Sequence, residues 1–332
     1  MNVFDVLTCG SAVVDVFAHT DNEIRKIREH GHLTECMMYP VGAKMIIQNL
    51  SQKVGGGGTN TAVAFSRQGL HTGYIGCLGQ DASAQMVFEE LQKHQISFLG
   101  HTCAHHTGYS IVLDSIAHDR TILTYKGAND HLNFASLHLR NVRTKGLYCS
   151  SMIEGSFKQQ VQLCNWAKKQ HALVAYNPSA YQTCDGLRKL RPMLKLTDVL
   201  ICNKEEAQSL LGTSAVGRRL AQQMSQLVPT AIITDGPHTI AASHRRRLFE
   251  LYPKTVKVVE TTGAGDAFAS ALFAAMIKEL PFERCLMHGL ANSQSVIGHT
   301  GAKEGLLSEK QIENYIKKHK LAKCVQHYDY TL

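Results

Sequence analysis

The chain has no long polar or low-complexity tract, which excludes disorder as its main state. It also lacks an apolar run of membrane length. The longest, 267–277, falls well short of the about 20 residues a bilayer requires. No basic leader opens the sequence, where Asp5 and Asp15 stand instead, so a secretory signal is not expected. The ten cysteines (9, 36, 77, 103, 149, 164, 184, 202, 285 and 324) include no CxxC pair. Cys77, Cys149 and Cys202 sit inside apolar, strand-like runs, where a thiol packs as a small hydrophobe. Reduced thiols in a cytoplasmic protein are therefore expected, not a disulfide framework. Nor is there an extended Lys/Arg block. The net charge of +8 suits an anionic small molecule as well as nucleic acid and by itself decides nothing, although neither nucleic acid nor a membrane is an expected partner of the chain as a whole.

What is present is an ordinary globular composition of 332 residues, 44% apolar and 19% charged, long enough for about two domains or one large one with an appendage. No internal repeat is visible. A strand over 3–9 ends in Gly10, and residues 20–52 are charged and weakly periodic. A helix follows the glycines at 55–58 and closes at Gly69. Strand 73–78, helix 83–94 and strand 96–100 come next. Residues 107–126 alternate as a hairpin joined at 115–119. From 145 the pattern is βα repeated, with helices at 157–170 and 204–211, a second hairpin at 239–252 and a large helix at 264–279. Such alternation implies a mostly parallel sheet with helices on both faces.

Two loops carry chemistry. In Glu260-Thr261-Thr262-Gly263-Ala264-Gly265-Asp266, small residues lead into an apolar helix whose first N–H groups form an anion site. Asp266 at that helix start reads equally as an N-cap or as a general base for transfer to a hydroxyl. In Gly55-Gly56-Gly57-Gly58-Thr59-Asn60, four glycines before a helix imply close backbone approach. No Lys-Ser/Thr follows them, so this is not a Walker A loop. The dinucleotide fingerprint GxGxxG is missing too, which disfavours a dehydrogenase. His101, Cys103, His105 and His106 lack a fourth partner at zinc-like spacing and read as a surface loop. Arg245-Arg246-Arg247 reads as a solvated hairpin tip or as a border to nucleotide phosphates.

Together, the two loops resemble the signatures of the ribokinase-like (PfkB) carbohydrate kinase family, and the resemblance covers nearly the whole chain. Asp15, Gly79-Gln80-Asp81, Asn203-Lys204-Glu205-Glu206, Gly236 and Gly301-Ala302 all fall where that family has counterparts. The implied fold is α/β: a ribokinase-like three-layer αβα core with a mostly parallel, doubly wound sheet, plus a small β lid. The core would comprise 1–15, 53–104 and 131–332, and the lid 16–52 and 105–130. Exposed strand edges on the lid predict a homodimer through it.

The resemblance implies an ATP- and Mg2+-dependent kinase of a sugar hydroxymethyl group. Asp266 would take the proton, and the backbone of Gly263, Ala264 and Gly265 would hold the phosphoryl charge. Asp15, Gly56, Gly57 and Asn60 would bind the substrate. Asn203, Thr234, Gly236 and Asn292 would contact the nucleotide. Asn203 and Glu206 would organise Mg2+ through water, although by themselves they also read as a helix cap. Glu260 replaces the usual Asp or Asn beside a monovalent cation, K+, and is one methylene longer. A nucleoside acceptor stays open through Phe17, Met37, Met38 and Tyr39, as does a non-catalytic sugar- or nucleotide-binding regulator. Glu154, Ser150 and Ser151 compete for one further substrate-side position.

Overall fold

Leu173–Asn177, Val199–Asn203, Thr230–Thr234 and the second half of Val142–Ser150 are largely apolar because both faces of the sheet are covered there. Successive side chains serve opposite cores. Leu7, Cys149, Val174, Leu200 and Ile233 enter one, while Val6, Tyr148, Ala175, Val199 and Ile232 enter the other. The computed structural model describes residues 2–19, 24–29, 32–38, 40–114, 120–137 and 139–329. Its main sheet has ten strands. The order is Val325–Asp329, Arg247–Leu251, Ile240–His244, Thr230–Thr234, Val199–Asn203, Leu173–Asn177, Val142–Ser150, Asn2–Cys9, Thr72–Ile75 and Ser97–Phe98. The run from Thr230–Thr234 to Ser97–Phe98 is parallel, and the other edge is antiparallel. The order reverses between Asn2–Cys9 and Val142–Ser150, and α/β folds bind ligands at the carboxyl ends of strands at such a switch point.

Gly57–Arg67, Ala264–Ile277, Phe282–Val296 and Glu309–His319 supply apolar side chains to one core. Glu154–Lys168, Gly186–Leu194, Lys204–Leu211 and Gly217–Met224 supply the other. Ala264–Ile277 is apolar nearly all round, since Ala267 through Ala275 are buried without a break.

A second sheet of four strands, in the order Arg120–Tyr125, Gly108–Asp114, Val13–His19 and Asn49–Gly55, stands apart from the first. Ile24–Glu29 and His32–Met37 form a separate hairpin. The segment read as weakly periodic thus holds strands, and a core boundary after residue 15 falls inside one. Residues 115–119 lie outside the described residues. Two side chains pin the crossovers. Asp81 caps Ala82–Lys93 through Ala84 N (2.8 Å) and accepts from Thr107 N and Thr107 Oγ1, both at 2.8 Å. Asn129 brackets Ala12, donating to its carbonyl and accepting from its N–H at 2.9 Å each.

Candidate active site

The glycine loop delivers the Gly57–Arg67 helix to the switch point. Gly56 is its N-cap with φ 97°, and a Cβ there would lie 2.5 Å from the Ser11 carbonyl, so only glycine fits. Thr59 and Thr61 turn their hydroxyls onto the Gly55 and Gly57 carbonyls, each at 2.6 Å. Asn60 is thereby aimed across the switch point, where its Nδ2 donates to Asp266 Oδ2 at 3.0 Å.

Asp266 is the third residue of the Ala264–Ile277 helix, in its first turn. Gly263 occupies the N-cap at φ 76° with no side-chain cap bond. The cap reading of Asp266 therefore gives way: its carboxylate turns to Asn60. Burial pushes that carboxyl up to about 6, against the opposing Asn60 bond. A Cβ on Gly265 would meet nothing within 4 Å, so the loop opens onto free space there. Gly265 and Asp266 have first-turn N–H groups beyond the reach of the helix's own acceptors. Ala264 differs, since its N–H donates to the Thr261 carbonyl at 3.2 Å.

Asp15 lies on the second sheet, opposite Lys53 and beside Ser110. Its carboxylate covers Gly55, where a Cβ would collide with it. Burial raises its pKa against the Ser110 bond and the Lys303 charge. A cavity of about 480 Å3 opens beside it, lined among others by Asp15, Phe17, Lys53, Gly55, Thr262 and Lys303. Met38 is exposed, and Tyr39 lies outside the described residues.

Asn203 and Glu206 form a reciprocal capping box, Glu206 N to Asn203 Oδ1 at 2.7 Å and Asn203 N to Glu206 Oε2 at 3.0 Å. Burial raises the Glu206 carboxyl, opposed by the Asn203 bond. Thr234 pairs in register with Asn203 at the sheet's carboxyl edge. Gly236 follows at φ 52° with open space at its Cβ. Asn292 is a correction. Fully buried, it donates to the Ala267 carbonyl and accepts from Leu307 N, both at 2.9 Å, so its amide braces the Ala264–Ile277 helix and has no face toward a nucleotide. Ser150 Oγ is buried beside Gly10 and Gly57, and Glu154 opens its helix at φ 51°. His105 stacks on His131, His101 Nε2 accepts from Asn133 N, and no metal-holding cluster occurs among the described residues. Missed entirely was a set of ion pairs around residues 300–304: Lys53 with Glu304 (3.1 Å) and Lys303 with Glu90 (2.7 Å). Nothing local marks them, since the partners lie more than 200 residues apart.

The model of the pfkB family carbohydrate kinases matches residues 30–309. The chain belongs to that family. This carbohydrate kinase is 22% identical over 284 residues to a ribokinase of Haemophilus influenzae, covering 83% of this chain and 91% of the relative. Its fold is that of Arabidopsis thaliana ribokinase, solved with ribose and ATP (TM-score 0.79, 20% identity, 96% and 99% of the two chains). It is equally recognisable in a nucleoside kinase of Burkholderia thailandensis in complex with inosine (TM-score 0.72, 16% identity, 94% and 98%). The ribokinase fold thus serves both acceptor types, and the acceptor has to be read from the site. No helix among the described residues is long and apolar enough to cross a membrane.

Proposed function

We propose that this carbohydrate kinase transfers the γ-phosphoryl of ATP to a hydroxymethyl group of a small sugar of the ribose or fructose type. The observation that carries the reading is the Asn60–Asp266 pair. A carboxylate freed from capping, with its pKa raised to about 6, is ionised near neutrality and still basic enough to accept a hydroxyl proton. The hydroxyl oxygen then attacks in line. The first-turn N–H groups of Gly265 and Asp266, with the positive end of the helix, stabilise charge on the moving phosphoryl. Asp15 and the backbone of Gly56 and Gly57 suit a polyol through acceptor and donor contacts.

Asn203 and Glu206 fit a magnesium ion that keeps its waters, because the capping box presents a carboxylate and an amide oxygen at an exposed helix start. When bound with ATP, that ion supplies positive charge against the phosphate oxygens. Thr234 and Gly236, at the same edge, border the nucleotide. The four-stranded sheet acts as a lid that excludes water during transfer. Its face turned away from Asp15 exposes Leu50, Ile111, Leu123 and Tyr125, which supports a homodimer closed through the lid. The ten cysteines are free thiols, in keeping with a cytoplasmic setting. An ATP-consumption screen over sugars, phosphosugars and nucleosides tests the whole reading. Turnover of a free sugar, abolished in Asp266→Asn, is expected. Preference for a nucleoside overturns the acceptor, and binding without turnover overturns the kinase.

A further inference from the structure

The family resemblance carries the expectation of a monovalent cation held by the carboxylate at 260 and nearby backbone carbonyls. The residues of this chain do not fit that ion. Glu260 uses its extra methylene to reach the neighbouring loop, where Oε2 accepts the Gly301 N–H at 2.8 Å. Next to it, the Thr300 carbonyl already receives Lys53 Nζ at 3.3 Å, and the same ammonium pairs with Glu304 Oε1 at 3.1 Å. A positive charge thus stands at the Thr300 carbonyl and the Glu304 carboxylate as part of the chain itself.

We propose that the Lys53 ammonium replaces a monovalent cation at the 300–304 loop and ties the position of the lid to the loop that receives the phosphoryl group. The proposal rests on the kinase reading above. Lys53 faces Asp15 directly across the antiparallel pair of Val13–His19 and Asn49–Gly55, so both side chains leave the same face of the lid sheet. A substrate drawn against Asp15 therefore brings Lys53 with it. The receiving loop is shaped for that contact. Gly301 has φ 106°, and a Cβ there would lie 2.8 Å from Lys53 Nζ and collide with the Glu304 carboxylate. On its other side, Ala302 packs so closely on Gly263 that a Cβ on that glycine would sit 2.6 Å from Ala302 Cα. Lys303 fastens the loop to the Ala82–Lys93 helix through Glu90. Lid, loop and phosphoryl site are thus in continuous contact.

Magnitudes decide what this arrangement does. The Lys53 and Glu304 side chains are 35% and 49% exposed, so the pair adds little to stability and weakens with salt. Its effect is on position. A displacement of about 1 Å in a catalytic loop can cost on the order of 10²-fold in rate. A tethered ammonium holds such a loop without recruiting an ion from solution.

The test measures kcat with the acceptor found by the screen, in tetramethylammonium buffer with KCl, NaCl or NH4Cl added, for the parent protein, Lys53→Met and Lys53→Gln. The parent protein should be indifferent to the cation. Either variant should lose about tenfold or more of kcat and regain it with K+ or NH4+. Strong K+ activation of the parent protein, an unaltered kcat in both variants, or a loss that no cation repairs would each overturn the proposal. If no acceptor is turned over, the kinase reading fails separately, and melting temperatures carry the test. K+ should then raise the melting temperature of a Lys53 variant and leave the parent unchanged, and equal responses would refute it. Lys53→Gln keeps the stem and a donor, which guards against a folding failure in Lys53→Met.

Discussion

Asp266 is subject to two opposing influences. Burial favours its protonated form, and the amide of Asn60 favours the carboxylate, leaving the group near 6. Because a base must be ionised to work, kcat/KM should fall as pH drops through about 6 and level off above it. Removing the amide with Asn60→Ala withdraws the interaction that lowers the pKa, so the acid limb should move to higher pH, as a pH profile of both proteins would show. Asp266→Asn should keep ATP binding near normal, checked by calorimetry, while kcat falls by at least about 10²-fold. Retention of most of the turnover would remove Asp266 as the base. Asn292 teaches the converse lesson. The family resemblance implies a nucleotide contact for it, yet full burial has committed its amide to the Ala267 carbonyl on the neighbouring helix and to the Leu307 N–H.

Among the secondary-structure elements, legibility tracks locality. Lys204–Leu211 agrees with its expected bounds because its signals lie within ten residues, from the Asn203–Glu206 box to Gly212 in the left-handed region. The apolar helix beginning at Ala264 was equally plain, as was the glycine loop before Gly57. The strands Val13–His19 and Asn49–Gly55 were not. They pair across some thirty residues, and Asn49–Gly55 is exposed over its first four positions, so it shows no alternation to read. The strand expected over 73–78 ends at Ile75, and Cys77–Leu78 pairs instead with His101–Thr102. Asp81 stands in the Gly79-Gln80-Asp81 motif, but its bonds to Thr107, which leads into Gly108–Asp114, join residues 26 positions apart and leave no local mark in the sequence. Burial raises its carboxyl, and the bonds from Thr107 and Ala84 outweigh that to leave it lowered. Asp81 therefore contributes stability above the ordinary carboxylate range, lost as pH falls below it. Asp81→Ala should cost about 1–2 kcal/mol at neutral pH, read from denaturant unfolding. A smaller difference is expected at acid pH, and a pH-independent one would contradict the account.

On the scale of the whole molecule, the apolar lid face predicts association. A mass near twice 36.7 kDa is expected from light scattering at micromolar concentration. Leu123→Glu, which places a charge on the exposed edge strand Arg120–Tyr125 of that face, should return the protein to one chain without altering its melting temperature by more than a few degrees. Parent protein that scatters as a single chain would leave the lid as a cover only.

The Asn60–Asp266 bond joins residues 206 positions apart, and the strand Asn2–Cys9, which leads into Gly10, is flanked by partners from residues 72–75 and 142–149. Nothing catalytic exists until both halves of the sequence have found each other. Chains dominated by such distant pairings fold slowly and through partly collapsed states. Recovery of turnover after dilution from denaturant should therefore trail the return of helical circular dichroism. A ribosome-bound chain truncated before residue 266 should show no activity, however much of its sheet has formed. On the proposed mechanism, the Asn60–Asp266 site can form only once synthesis has passed residue 266.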